Sequence, residues 1–147
     1  MKQALKNSIK SLLLVCFVFT LTGLQAQDIV GKWKTIDDET GKEKSIVEIY
    51  LKDGKAFGKV VQILNPEKQD AICDLCDEDD DRKDKKVLGM EIIRNMEKDG
   101  DEWEDGTILD PNNGSVYDCK MWVEDGNLQV RGYIAFFFRT QTWYKVK

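Results

Sequence analysis

The chain has 147 residues, with 22 Lys and Arg against 27 Asp and Glu, and carries a net charge of −5 at pH 7. Nucleic acid and anionic lipid are bound by clustered Lys and Arg, so such an acidic chain disfavours both as partners, and we predict no nucleic-acid partner. It contains no histidine, and so lacks the side chain that most often serves as a general base near neutral pH or as a transition-metal ligand.

Residues 1–26 have the features of a cleaved secretory signal peptide. Three lysines precede an apolar run, Ser11 to Leu24, and Ala26 offers a small residue for cleavage. About fourteen apolar positions are too few for a transmembrane helix. Removal of this segment takes away three lysines and no acidic residue, which leaves a charge of −8 on residues 27–147. We expect these residues to form one exported domain, periplasmic or extracellular.

After the leader, one pattern recurs: a short run of alternating apolar and polar residues, then a turn containing Asp-Gly or Asn-Gly. No segment shows a sustained helical period. The predicted strands cover 29–36, 44–51, 55–64, 88–97, 103–109, 115–123, 128–134 and 137–146. About eight short strands joined by tight turns predict an all-β, antiparallel up-and-down barrel, whose closure removes exposed sheet edges. An open sandwich of the same strands is the alternative.

The alternation also predicts which side chains face the interior. Trp33 shares one face of the first strand with Ile29 and Thr35, and Tyr117 and Met121 share one face of the sixth. These three large side chains, Trp33, Tyr117 and Met121, are therefore candidate interior residues that could contact a ligand.

Three cysteines follow the leader: Cys73, Cys76 and Cys119. In an oxidising compartment Cys73 and Cys76 most simply pair with each other, and a bridge from this pair to Cys119 is the alternative. Cys119 points inward on a strand while the pair lies in a polar loop, so we favour Cys73–Cys76 and a buried, free Cys119. Three cysteines without histidine make a poor zinc site, and we predict no metal or cofactor.

The segment 65–86 is a long polar connection that contains five consecutive acidic residues, 77–81. Read as a calcium-binding loop, it has Arg82 where glycine is required and Leu88 where glutamate is required. The charges instead predict a solvated loop with internal ion pairs, near a rim of the barrel and tied down mainly by the cysteine pair. Loops of this length often act as lids or binding elements.

Six motifs, in order and spacing, resemble a family of secreted bacterial proteins, the domain of unknown function 2147 family. They are Gly31-x-Trp33, Cys73-x-x-Cys76, Leu88-Gly89, Asp110-Pro111-x-x-Gly114-x-x-Tyr117-x-Cys119, Arg131-Gly132-Tyr133 and Arg139-Thr140-Gln141-Thr142-Trp143. The resemblance spans Asp28 to Tyr144 and implies a lipocalin-like barrel, but no established activity, substrate or cofactor. In lipocalin-like barrels a basic residue of the last strand packs over the first-strand tryptophan. We therefore expect Arg139 over Trp33 at the closed end, and count Arg139 among the candidate site residues.

These observations support three functions unequally. The first is a non-enzymatic barrel that holds a small apolar or amphipathic molecule. The second is a structural or adaptor protein of the envelope with a filled interior, which uses the outer aromatic residues of 136–138 to contact a protein partner. An enzyme using carboxylates such as Asp110 or Glu48 is the least favoured. A cavity above roughly 300 Å³ would separate the first from the second.

Overall fold

The computed structural model describes residues 28–147, so the leader predicted over residues 1–26 lies outside the described part of the chain. Eight antiparallel strands close into a barrel in chain order, with β8 beside β1. The strands are β1 Gly31–Ile36, β2 Glu43–Lys52, β3 Lys55–Ile63, β4 Glu91–Asp99, β5 Glu102–Asp110, β6 Ser115–Glu124, β7 Asn127–Ile134 and β8 Phe137–Lys145. The predicted barrel is confirmed, and the open sandwich is excluded.

Helix contributes little to residues 28–147, where one 3-10 turn, Pro66–Lys68, is the sole helical element. Nothing helical within that range is long and apolar enough to cross a membrane.

The two ends of the barrel differ in their connections. One end carries tight hairpin turns such as Asp53-Gly54, where φ angles of 52° and 77° fit the two-residue turns that match strand twist. We call this the closed end, and β1 enters the barrel there. The other end, the mouth, carries the segments 37–42, 64–90, 111–114 and 135–136. We call 64–90 the rim loop. Three of the mouth connections are therefore longer and polar, and the fourth, 135–136, is a two-residue apolar turn.

Trp33 fills the closed end. It is fully buried, and its indole Nε1 donates a hydrogen bond to the carbonyl of Ile29 at 2.8 Å. The expectation that Arg139 lies over this ring is wrong. Lys145 Nζ lies 5.6 Å from the ring centroid, because the β1–β8 register pairs Trp33 with Lys145. Arg139 is six residues earlier on β8, at the mouth, where it pairs with Asp38.

The cysteines are arranged as predicted. Cys73 and Cys76 form a disulfide, and Cys119 is free and buried on β6. Burial raises the pKa of the Cys119 thiol to about 12, because the thiolate would lose its hydration there. Cys119 therefore behaves as a small core residue.

Candidate functional site

A cavity of about 390 Å³ opens at the mouth of the barrel. Residues near the mouth ends of the strands supply most of its wall, and residues of the mouth connections supply the rest. Several strands contribute apolar side chains to this wall, including Val60, Ile63, Ile92, Ile108, Leu109, Val130 and Trp143. Deeper in the barrel, Trp33, Met121 and Leu128 are buried in the core and do not line the cavity.

The rim of this mouth cavity is polar. Lys44 Nζ lies 4.0 Å from an Asp110 carboxylate oxygen, and the Asn113 side-chain amide donates to the Tyr117 hydroxyl at 2.9 Å. Lys68 and Asn65 face the cavity from the rim loop. A molecule bound here would meet apolar side chains inside and charged or amide groups at the entrance.

Side chains, rather than backbone pairing, close the barrel between β1 and β8 at the mouth. The two strands pair near the closed end, at Trp33 with Lys145 and Lys34 with Tyr144. Nearer the mouth, Arg139 Nη2 forms an ion pair with the Asp38 carboxylate at 3.1 Å, and the Gln141 amide donates a hydrogen bond to the same carboxylate. On this side of the cavity, side-chain contacts therefore replace the backbone pairing that joins the other strands.

The rim loop contributes Asn65, Lys68, Ala71 and Val87 to the cavity wall. The predicted position of this loop at a rim is therefore correct. Its disulfide turn packs against the β5–β6 turn, where a Cβ added at Gly114 would lie 1.8 Å from the Leu75 carbonyl oxygen. Gly114 also has a φ of +71°, so close contact and backbone conformation both require glycine there.

A buried arginine anchors the same loop. Arg82 is only 6% exposed, and its Nε and Nη2 donate to the Asp80 carboxylate at 2.9 and 2.7 Å. Its Nη1 donates to the Glu91 carbonyl of β4 at 3.1 Å. These bonds from Arg82 lower the pKa of Asp80 to about 2. The expected internal ion pair therefore forms, but the expectation of a solvated loop held mainly by its disulfide is wrong at Arg82, which is buried and also bonded to β4.

Other charges of the acidic run also form ion pairs, one within the loop, as expected, and one with β4. Lys83 Nζ lies 2.8 Å from Glu78, within the loop. Arg94 of β4 donates to both oxygens of Asp81 at 2.7 and 3.0 Å. Between residues 28 and 147, no group of three or more His, Cys, Asp or Glu side chains is arranged to hold a metal ion.

The predicted site residues separate into two pairs. Tyr117 and Arg139 line the cavity, whereas Trp33 and Met121 are fully buried and do not line it. Sequence reasoning missed the wall residues of β7 and β8, among them Val130 and Trp143. Their inward alternation was the available signal. The alternation did not predict at which height in the barrel the packed core ends and the cavity begins.

The β7–β8 hairpin projects apolar side chains from the mouth. Ile134, Phe136 and Phe137 are 58%, 98% and 78% exposed. We call residues 134–137 the hairpin tip. Phe138, on the outer face, instead packs with Arg131, whose guanidinium carbon lies 4.5 Å from that ring centroid and 4.8 Å from the centroid of Trp122. Phe138 therefore belongs to a cation–π cluster with Arg131 and Trp122, while the hairpin tip is exposed to solvent.

The comparisons with known proteins agree with this architecture. The profile of a family described as "Uncharacterized protein conserved in bacteria (DUF2147)" matches residues 31–145. Among solved structures, the chain is similar to one titled "Protein HP1028 from the human pathogen Helicobacter pylori belongs to the lipocalin family". The TM-score is 0.71 at 15% identity, over 82% of this chain and 84% of that one. At this identity the likeness shows the fold. No curated protein sequence matches the chain.

Proposed function

Since the chain belongs to the DUF2147 family of bacterial proteins and folds as a lipocalin-like barrel, we propose that it is an exported, non-enzymatic binding protein. In this proposal the mouth cavity holds one small apolar or amphipathic molecule. Export rests on the signal-peptide features of residues 1–26. The disulfide Cys73–Cys76 is compatible with an oxidising compartment such as the periplasm.

The observation that carries the proposal is the cavity itself. Its volume of about 390 Å³ lies within the range of small-molecule pockets, which begins at roughly 300 Å³. A purely structural or adaptor barrel would gain stability by filling this space with side chains, since unfilled core volume costs stability. The cavity therefore favours ligand binding over the adaptor alternative.

The chemistry of the cavity supports an amphipathic ligand. Its wall is apolar, so burial of a hydrocarbon or ring system would be favourable by about 25 cal/mol per Å². The entrance offers Lys68 and the Asn65 and Asn113 amides, which suit a polar head group that remains near water.

The carboxylates at the mouth support a binding role rather than catalysis. Asp38 is paired with Arg139, and Asp110 lies 4.0 Å from Lys44. The hydroxyl and amide of Thr40 donate to Asp37 and lower the pKa of that carboxyl. A general acid near neutral pH needs a raised pKa, so Asp37 is shifted in the opposite direction.

Native mass spectrometry of the protein purified from its own host envelope tests the proposal directly, through a co-purified small molecule. A solution assay adds a matched pair of variants at Gly132, which lines the cavity. A Cβ added there would lie 3.5 Å from Tyr117 Cβ and 3.8 Å from Ile108 Cγ2, which is ordinary contact. Gly132→Ala should therefore be tolerated, whereas the ring of Gly132→Phe should occupy the cavity.

The probe is anilinonaphthalene sulfonate, an amphipathic dye that fluoresces in apolar sites. We expect saturable binding to the wild type and to Gly132→Ala, and loss of binding by Gly132→Phe. Equal binding by all three folded proteins would contradict the proposal, because the dye would then bind outside the cavity.

A further inference from the structure

The hairpin tip carries an exposed apolar side chain, Phe136, that packs in no part of the barrel. Phe136 is 98% exposed and does not line the cavity, so it contributes to neither the core nor the cavity wall. The preceding residue, Ala135, has a φ of 50°, in the region that turns usually assign to Gly, Asn or Asp. The turn therefore has, at Ala135, a residue that does not favour its backbone conformation and, at Phe136, a large ring that is exposed to water.

The tip is continuous with the mouth cavity. Ile134 and Phe137 are more than half exposed to solvent, yet both also line the cavity. An apolar surface thus runs from the outermost point of the hairpin into the interior of the barrel. A molecule that moves along this surface would meet Phe137 and Ile134, which also line the cavity.

We propose that the hairpin tip inserts into the interfacial region of a zwitterionic lipid bilayer, so that the mouth cavity takes up or delivers its ligand directly at the membrane. This inference rests on the proposed function, because it requires a cavity that binds an amphipathic molecule. Aromatic and aliphatic side chains bind this region by burying apolar area at the boundary between head groups and acyl chains.

The size of the tip favours lipid over a protein partner. Three exposed side chains of this kind present about 400 Å², whereas a stable protein interface buries about 800 Å² on each partner. The same comparison of areas argues against a dimer formed through the hairpin tip. A bilayer needs no complementary shape, so a small apolar tip is enough for reversible binding.

The charges around the mouth specify the kind of bilayer. Asp37, Asp38 and Asp110 lie at the rim together with Lys44, Lys68 and Arg139, so the rim has no excess of cations. The whole chain carries a net charge of −5. Anionic lipid attracts basic segments and would repel this protein, so we expect binding to phosphatidylcholine that anionic lipid weakens.

The test is flotation with phosphatidylcholine vesicles, using protein in the form that a secreting host processes and exports. The test variant is Phe136→Asp, and the matched control is Leu51→Asp. Leu51 is 52% exposed on β2 beside the Asp53-Gly54 turn, at the closed end. We expect wild type and Leu51→Asp to float, and the affinity of Phe136→Asp to fall about ten-fold or more, as expected for losing one buried phenylalanine.

A second measurement locates the contact. In vesicles of brominated phosphatidylcholine, a tryptophan introduced by Phe136→Trp should be quenched, and one introduced by Leu51→Trp should not. Failure of the wild type to float, or equal loss by Phe136→Asp and Leu51→Asp, overturns the inference. A dimer that Phe136→Asp dissociates, without flotation of the wild type, overturns it in favour of self-association.

The outcomes also separate this inference from the proposed function. Phe136→Asp should still bind anilinonaphthalene sulfonate in solution, while Gly132→Phe should still float. If the wild type floats but the dye does not enter the cavity, the proposed function is wrong, and so is the proposal that the cavity takes up or delivers a ligand at the membrane. If the dye binds in the cavity but the wild type does not float, the inference alone is overturned.

Discussion

Replacing Arg82 with alanine should loosen the rim loop and destabilise the fold. The substitution removes two charge-assisted hydrogen bonds to Asp80, at 2.9 and 2.7 Å, and one to the Glu91 carbonyl at 3.1 Å. It also leaves the Asp80 carboxylate, which is 13% exposed, without its cation. Breaking a fully buried pair costs about 3–5 kcal/mol. Because Asp80 keeps some access to water, we expect a loss of about 2–3 kcal/mol in the free energy of unfolding.

The effect should depend on pH in a defined direction. The folded-state pKa of Asp80, about 2, is below its ordinary value of 3.8. Such a group stabilises the fold above the ordinary value, and this contribution is lost as pH falls from about 4 to about 2. With solvent screening taken into account, we expect about 1 kcal/mol of the difference between wild type and Arg82→Ala to disappear over this interval.

Urea denaturation at neutral pH and at acid pH measures both quantities. Lys83→Ala is the matched control, since Lys83 pairs with Glu78, which is largely exposed, and should change stability by less than about 0.5 kcal/mol. Hydrogen exchange should show faster opening of residues 64–90 in Arg82→Ala alone. An Arg82→Ala effect as small as that of Lys83→Ala, or one unchanged at acid pH, would refute the argument.

Three further predictions follow from packing. Trp33→Ala should lower the free energy of unfolding, measured by thermal or urea denaturation, by about 3–5 kcal/mol. A loss below about 1 kcal/mol would show that the closed end is not packed around this ring. Gly114→Ala should destabilise by more than about 2 kcal/mol, because strain and a clash with Leu75 add together. Gly126 is the matched control, because it has a φ of +78° but no atom within 4 Å of an added Cβ. Gly126→Ala should lower the free energy of unfolding by about 1 kcal/mol. Equal losses in the two variants would contradict the contact between Gly114 and Leu75. Cys119 should resist iodoacetamide until the chain unfolds, which mass spectrometry measures; rapid alkylation of the native protein would contradict its burial and its raised pKa of about 12.

The sequence by itself determined the local features of this protein. Alternating apolar residues and Asp-Gly turns predicted eight strands, whose observed bounds differ from the expected ones by three residues or fewer. The inward position of Cys119 and the short Cys73–Cys76 spacing predicted the disulfide correctly. These features follow from interactions between residues close in the chain, where a two-residue period and turn chemistry carry the information.

Only the tertiary structure decided the features that depend on the alignment of strands distant in the chain. The β1–β8 register placed Lys145, rather than Arg139, over Trp33. The rim loop packs against β4 and buries Arg82, although the sequence predicts a solvated segment there. Whether the interior is hollow likewise depends on the summed volumes of side chains from all eight strands. Alternation tells which face a residue occupies, but closure and register decide its height in the barrel, and therefore whether it meets core, cavity or solvent.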